Sequence, residues 1–260
     1  ILRCLVGSEM CIRDSGERFE LQGGAWATDI VVVDGTVYTS GTSESYNACY
    51  WIDQTRYDLP GSWGEAEAIA VDGDDVYVAG WFNNGSCYWK NGQKINLTVN
   101  RDSQAFAIGV HNNGDVYVGG YYTSNHHYWI PCFWKNGTSR TNLQSGEDGE
   151  VYDMVLMDGT TRYYAGNTTS LNNMLGYPPR ACYWKNTRRN QLPKGGNFNS
   201  GLYGTGALGI TTDGSDIYVA GYADYIEDIG DSLNTGGRFP RYWKNNSCLL
   251  YTSDAADEWL

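Results

Sequence analysis

Proline is scarce in this 260-residue chain, at six residues, and histidine scarcer still, at three. Charged residues make up only 18%, and basic ones are the minority: 18 Lys and Arg against 30 Asp and Glu, a net charge of −12. A nucleic-acid backbone would want a basic face, so nucleic acid is not an expected partner. No run of about 18 apolar residues occurs, which leaves no membrane span. No apolar stretch follows a basic start, so no secretory signal is read. Glycine (33), tyrosine (21) and tryptophan (10) are abundant instead. That mixture suits many short strands joined by tight turns.

One unit recurs five times. Its clearest copy runs from Ala66 to Leu97. Strand A is Ala66 to Val71, and Asp72-Gly73 makes a hairpin turn. Strand B is Asp75 to Trp81. After a loop, strand C is Ser86 to Lys90. Asn91-Gly92 makes the second turn, and strand D is Gln93 to Leu97. The strand B glycine recurs at Gly41, Gly80, Gly120, Gly166 and Gly221, with spacings growing from 39 to 55 residues. The strand C tryptophan recurs at Trp51, Trp89, Trp134, Trp184 and Trp243. Lys-Asn follows it in four copies; the first copy has Ile52-Asp53.

Strand A alternates with period two. Bulky residues such as Ile30 and Val32, Ile69 and Val71, or Leu208 and Ile210 share one face. Smaller or polar ones such as Asp29, Ala68, Ala107, Asp153 and Gly209 share the other. A unit that buries both faces cannot stand alone and must stack on its neighbours. The expected fold is therefore all-β: a β-propeller of five four-stranded antiparallel blades. Gly16 to Leu21 aligns with strand D: if the ring closes with five blades, this N-terminal strand can complete the last one, and if the parent protein has more blades, the chain is an open arc or a forced closure.

The Val-Tyr-Val-Ala-Gly strand followed by a Tyr-Trp-Lys-Asn-Gly hairpin resembles β-propeller repeat proteins of bacterial cell-surface type. The resemblance covers Gly16 to Asn246. It implies secretion or surface attachment and a binding role. The Trp-Asp and Gly-His signatures of WD40 blades are absent.

The two ends read differently from the repeats. One back-translation of Met10 to Asp14, taken as its reverse complement, matches one of Cys248 to Ser253. Cys4 to Ser15 and Cys248 to Glu258 resemble translations of the transposase adapter used in sequencing libraries. Residues 1–15 and 248–260 are accordingly expected to be foreign, and 16–247 to be five repeats from within a longer protein. Of seven cysteines, Cys4, Cys11 and Cys248 fall in these ends. Cys49, Cys87, Cys132 and Cys182 share one repeat position. Equivalent positions in successive blades are too far apart for a disulfide, so a small buried hydrophobe is the expected role.

The A–B and C–D turns are nearly constant, whereas the B–C loops vary. Variable loops on a regular scaffold are where binding is expected. The candidate ligand-binding residues are Trp81, Tyr121, Tyr122, His126, His127, Tyr128, Trp129, Tyr177 and Tyr225, whose rings suit a sugar or peptide side chain. Asp224, Glu227, Asp228 and Asp231 could offer oxygens to calcium, but their spacing matches no EF-hand, and a solvated acidic loop is the plainer reading. Neither cofactor nor catalytic residue is expected. Three functions follow. The first is a non-catalytic scaffold, monomeric, that recognises a glycan or protein through the B–C loop face. The second is a glycoside hydrolase or lyase using channel carboxylates, with Asp29 and Asp153 as the conceivable pair. The third is an architectural segment of a larger surface protein.

Overall fold

A computed structural model describes residues 19–83, 85–98, 102–144, 147–157, 160–170, 178–193, 204–224, 228–229, 232–233 and 238–249. Five four-stranded antiparallel sheets account for nearly all of them. The first comprises β1 (Gly24–Val33), β2 (Thr36–Ser43), β3 (Ala48–Ile52) and β4 (Thr55–Asp58). The second comprises β5 (Gly64–Asp72), β6 (Asp75–Phe82), β7 (Gly85–Lys90) and β8 (Gln93–Asn96). The third comprises β9 (Ser103–Val110), β10 (Val116–Thr123), β11 (Trp129–Lys135) and β12 (Ser139–Asn142). The fourth comprises β13 (Glu147–Leu156), β14 (Arg162–Ser170), β15 (Arg180–Lys185) and β16 (Arg188–Gln191). The fifth comprises β17 (Thr205–Thr212), β18 (Ile217–Asp224), β21 (Arg238–Lys244) and β22 (Ser247–Leu249). A two-residue pair, β19 (Asp228–Ile229) and β20 (Ser232–Leu233), lies within the last B–C connection. These are the meandering blades of a β-propeller.

Two compact units are distinguished: residues up to 122 together with 134–140, and residues 123–133 together with those from 141 onward. In the first unit β5 packs on β1, β2 and β3, and β9 packs on β5, β6 and β7. In the second β17 packs on β13, β14 and β15. The packing has a constant sense. Ile69, Val76, Val78 and Trp89 of the second blade meet Val31, Tyr38, Tyr50 and Ile52 of the first. Ile210, Val219 and Trp243 of the fifth meet Val155, Tyr163 and Tyr183 of the fourth. In both units, then, an isoleucine face packs on the tyrosine face of the blade before it.

The repeat motifs are explained by this packing. All five strand C tryptophans are fully buried. The indole N–H of three donates to the connection entering the blade: Trp51 to Gln22 O, Trp89 to Pro60 O, and Trp243 to Pro193 O at 2.8 Å. The Lys and Asn that follow tie the C–D turn to strand B. Lys90 Nζ lies 2.7 Å from Asp75 Oδ2 and over the Tyr77 ring. Asn91 Oδ1 accepts from Val76 N at 2.8 Å. Asn136 and Asn245 repeat that bond, as does Asp53 in the copy that departs from the motif. The turn needs positive φ at both central residues, which Asn91 and Gly92 adopt at 49° and 77°.

Every strand A carries a β-bulge, at Thr28, Glu67, Phe106, Tyr152 and Leu208, opposite the strand B glycine. The bulge presses a strand A carbonyl onto that glycine. A Cβ on Gly80 would stand 1.9 Å from Glu65 O, and the other four are as crowded. Gly80→Ala should lower stability by roughly 2 kcal/mol through this overpacking, measured by urea unfolding. An unchanged midpoint would remove this account of the glycine. The bulge also corrects the alternation in the fifth copy. Leu208 is the inserted residue, so the counterparts of Ile69 and Val71 are Ile210 and Thr212.

The closure of the last blade is a second correction. Its fourth strand is β22, joined to β21 by the turn at Asn245 and Asn246, both at positive φ. Phe19 to Leu21 form no strand, and residues 16–18 lie outside the described residues. The physical reason is proximity in sequence. A two-residue turn pairs neighbouring strands at almost no loop-closure cost. The cysteines behave as expected: Cys49, Cys87, Cys132 and Cys182 are buried and none forms a disulfide. Burial pushes the thiols of Cys49 and Cys87 up to about 12.

Candidate functional site

The carboxylates of the hydrolase reading can be placed first. Asp29 Oδ1 accepts from Ile30 N, and its Oδ2 accepts from Ile69 N of the next blade at 2.9 Å. Asp153 does the same with Met154 N and Ile210 N, the latter at 2.8 Å. Both side chains lie between blades as backbone clamps. Burial raises the Asp29 carboxyl despite these two bonds. The pair is therefore not a catalytic constellation, and the reading that rested on it is corrected. Asp29→Ala strands the buried Ile69 N–H and should cost about 1–2 kcal/mol while leaving ligand binding unchanged. Thermal unfolding beside a binding isotherm checks both halves.

B–C loops and D–A connections meet at one end of the blades. In the first unit, Gly64 N donates to Tyr46 O and Asn83 N to Trp63 O. In the second, Thr205 N donates to Pro179 O. That end of the first blade carries exposed aromatic rings. The B–C loop is closed by Ser43 N donating to Asn47 O at 2.9 Å and by Asn47 N donating to Ser43 Oγ. The turn holds Tyr46 at φ 58°, and its ring meets Trp26 edge-on at 5.7 Å. Asn47 Oδ1 accepts from Trp63 N at 3.1 Å, fixing the exposed Trp63 beside the loop. Trp26, Tyr46 and Trp63 are all exposed. Sequence reading missed all three, because it weighed long loops and this one is short. The signal available was register: where the first copy has Trp26, the others have Glu65, Gln104, Glu150 and Gly206.

Of the aromatics singled out from sequence, Tyr121 and Tyr122 are withdrawn from the surface. Both are buried, Tyr121 against Phe106 and Tyr122 beneath the Arg140 guanidinium at 3.4 Å. They correct the expected cluster: successive strand residues cannot all face solvent where both faces of the sheet are covered. Trp81 is half-buried. Tyr177 and Tyr225 lie outside the described residues. In the second unit, Ser124 builds the same turn that Ser43 builds in the first, accepting from Tyr128 N on Oγ. His127 sits at φ 63°, and His126 lies 6.3 Å from the Tyr128 ring. His126, His127, Tyr128 and Trp129 are exposed, and Trp129 N donates to Asp148 Oδ1 at 2.8 Å.

A polar chain fills the matching register of the fourth blade. Asn167 Nδ2 donates to Tyr152 Oη at 3.0 Å, and Tyr152 donates to Glu150 Oε2. Burial is the main cause that raises the Glu150 carboxyl, opposed by the Tyr152 bond and reinforced by Asp148. A carboxyl raised in the folded state favours folding below its unfolded value and loses that contribution as pH climbs through the folded value. Glu150→Gln should therefore flatten the decline in stability as pH rises above 4.5, seen in melting temperatures across a pH series. A decline of wild-type size in the variant would refute this.

Of the four acids in this loop, only the side chain of Asp224 is described. Asp224 Oδ1 accepts from Arg238 Nε at 3.0 Å, and that guanidinium lies 3.7 Å over the Tyr222 ring. Asp228 is described only as part of β19; Glu227 and Asp231 lie outside the described residues. Among the described residues no three His, Cys, Asp or Glu converge on a metal position. Nor is any helix among them long and apolar enough to cross a membrane.

No family model matches the chain, and no curated protein does. Solved structures resemble it distantly. The extracellular domain of a hybrid two-component system from B. thetaiotaomicron matches at 9% identity and TM-score 0.46, covering 75% of this chain and 26% of its own. The chain thus spans about a quarter of that structure. The GH43 endo-arabinanase from Bacillus licheniformis matches at 12% and 0.38, covering 83% and 93%. The GH62 α-L-arabinofuranosidase catalytic domain of Coprinopsis cinerea matches at 10% and 0.40, covering 90% and 94%. At these values neither a family nor an activity is assigned. The blades themselves define the chain as an all-β propeller-type repeat protein.

Proposed function

We propose that this chain is a non-catalytic scaffold, secreted or displayed at a cell surface, that binds a glycan through the end of the blades where B–C loops and D–A connections meet. The observation that carries the reading is the exposed aromatic group of Trp26, Tyr46 and Trp63. Two of its members are held in place by loop hydrogen bonds, Tyr46 through Ser43 and Trp63 through Asn47. Flat rings with hydrogen-bonding amides beside them suit the apolar faces and hydroxyl edges of a pyranose. The net charge of −12 favours a neutral over an acidic sugar. The exposed His126, His127, Tyr128 and Trp129 offer the same chemistry in the second unit.

A glycan array followed by titration calorimetry tests this. Neutral oligosaccharides should bind, and lose binding in Trp26→Ala and Trp63→Ala. An array without hits, or hits insensitive to both substitutions, rejects the proposal.

A further inference from the structure

Three blades repeat one bonded set at their C–D turns. Lys90 Nζ lies 2.7 Å from Asp75 Oδ2, and Asn91 Nδ2 donates to Asp75 Oδ1 at 2.6 Å. Lys135 and Asn136 hold Asp115 in the same way, and Lys244 and Asn245 hold Asp216. In each copy the lysine also lies over a strand B tyrosine: Tyr77, Tyr117 or Tyr218. These donors keep all three carboxyls below the usual carboxylate range, the lysine contributing most.

The fourth blade keeps the donors and lacks the acid. Lys185 Nζ lies over the Tyr163 ring, and Asn186 Oδ1 accepts from Arg162 N as Asn91 Oδ1 does from Val76 N. The residue before Val76, Val116 or Ile217 is the aspartate; the residue before Arg162 is Thr161. Among the described residues no carboxylate pairs with Lys185, and Asn186 Nδ2 has no acceptor. Asp158 of the neighbouring A–B turn lies outside the described residues. Its counterpart in the second copy is Asp72, whereas the acid on Lys90 is Asp75.

A second change points the same way. Lys185 stands directly across the hairpin from Arg188, where Lys90 faces Gln93 and Lys244 faces Ser247. Like charges directly opposite on a sheet repel. Both residues are exposed. One cation and one carboxylate have thus become two cations and a hydroxyl, in a chain of net charge −12. Arg162 adds charge to the same turn but is engaged by Thr160 O and the Phe133 ring, so it is not counted in the set.

The other blades show what such donors accept, an anionic oxygen group. We infer that Lys185, Asn186 and Arg188, with Thr161, bind the phosphate group of a ligand, its oxygens standing where an aspartate carboxylate stands in the other copies. Two cations match a dianion, where one lysine sufficed for a carboxylate, and a guanidinium fork suits phosphate oxygens. The set uses none of the aromatic loop residues, so it stands or falls apart from the glycan reading.

Side-chain NMR of the full chain, titrated with inorganic phosphate at constant ionic strength, tests this. The Asn186 Nδ2 and Arg188 Nε signals should shift with saturation. Those of Asn91, Asn136 and Asn245, whose acceptor is already an aspartate, should stay in place. Acetate, a monoanion, should bind at least about tenfold more weakly. Lys185→Gln and Arg188→Gln should each weaken phosphate binding by about tenfold. Thr161→Asp restores the acid of the other blades, so it should abolish binding and keep the wild-type circular dichroism and melting temperature. A sugar phosphate monoester separates the two sources of the group: tighter binding than inorganic phosphate assigns the site to a larger phosphorylated ligand, weaker binding to free phosphate. No saturable shift at Asn186 and Arg188 overturns the inference. So does acetate that binds as tightly as phosphate, a folded Thr161→Asp variant that still binds, or binding left unchanged by both glutamine variants.

Discussion

Trp89→Ala should destabilise the protein by roughly 3–5 kcal/mol, the largest loss expected from any single core substitution here. Trp89 is fully buried and belongs to the cluster where the second blade packs on the first. Removing the indole leaves a cavity between two sheets that are each pinned by their own hydrogen bonds, so collapse into it is restricted. The Pro60 carbonyl also loses its donor. A loss of that size lowers the melting temperature by about 10 °C or more. Trp243→Ala, which removes the strongest indole bond of the set, should fall in the same range. Calorimetric scans of both variants check this, and a shift of only a degree or two would show that the tryptophans are not what joins the blades.

The second large effect concerns binding. Trp26→Ala and Trp63→Ala should each weaken affinity for a bound neutral glycan by at least about tenfold, near 1.4 kcal/mol, and the double variant should abolish measurable binding. Exposed aromatic rings contribute contact area with few rotamers to freeze, which is why their removal is felt strongly at a binding surface. The fold should be indifferent, because neither ring is buried. Asn47→Ala should have a smaller effect in the same direction, since it removes the bond that holds Trp63 beside the loop while leaving every ring present. Loss of binding together with a large loss of stability would count against a direct role for either ring.

Much of the fold could be read from residue spacing. The glycines at 41, 80, 120, 166 and 221 and the tryptophans at 51, 89, 134, 184 and 243 mark equivalent points of five sheets, because each is forced by a contact inside its own blade. The Lys-Asn pair was visible as a hairpin turn; its bonds to Asp75 and Val76 were not, because they reach back across a whole strand. The bulge was hidden for a different reason. It inserts a residue without changing the motifs on either side, so Leu208 and Ile210 looked like one face of a strand.

The candidate site was less legible. Asp29 and Asp153 looked like a pair of acids at equivalent positions, and only the neighbouring blade reveals them as acceptors for Ile69 N and Ile210 N. Tyr121 and Tyr122 looked like part of a surface cluster, yet they continue a strand covered on both faces. Trp26, Tyr46 and Trp63 are 20 and 17 residues apart in sequence, and a fold was needed to bring a strand, a turn and a connection to one end of a blade. Local chemistry announces itself in sequence, whereas chemistry assembled across a turn of chain does not.

The indole N–H resonances of the tryptophans, followed by two-dimensional NMR during titration with a glycan taken from the array, test the central claim most directly. The account predicts that the signals of Trp26 and Trp63 shift with saturation while those of the buried Trp51, Trp89, Trp134, Trp184 and Trp243 stay in place. Saturable binding with Trp26 and Trp63 unmoved would contradict it.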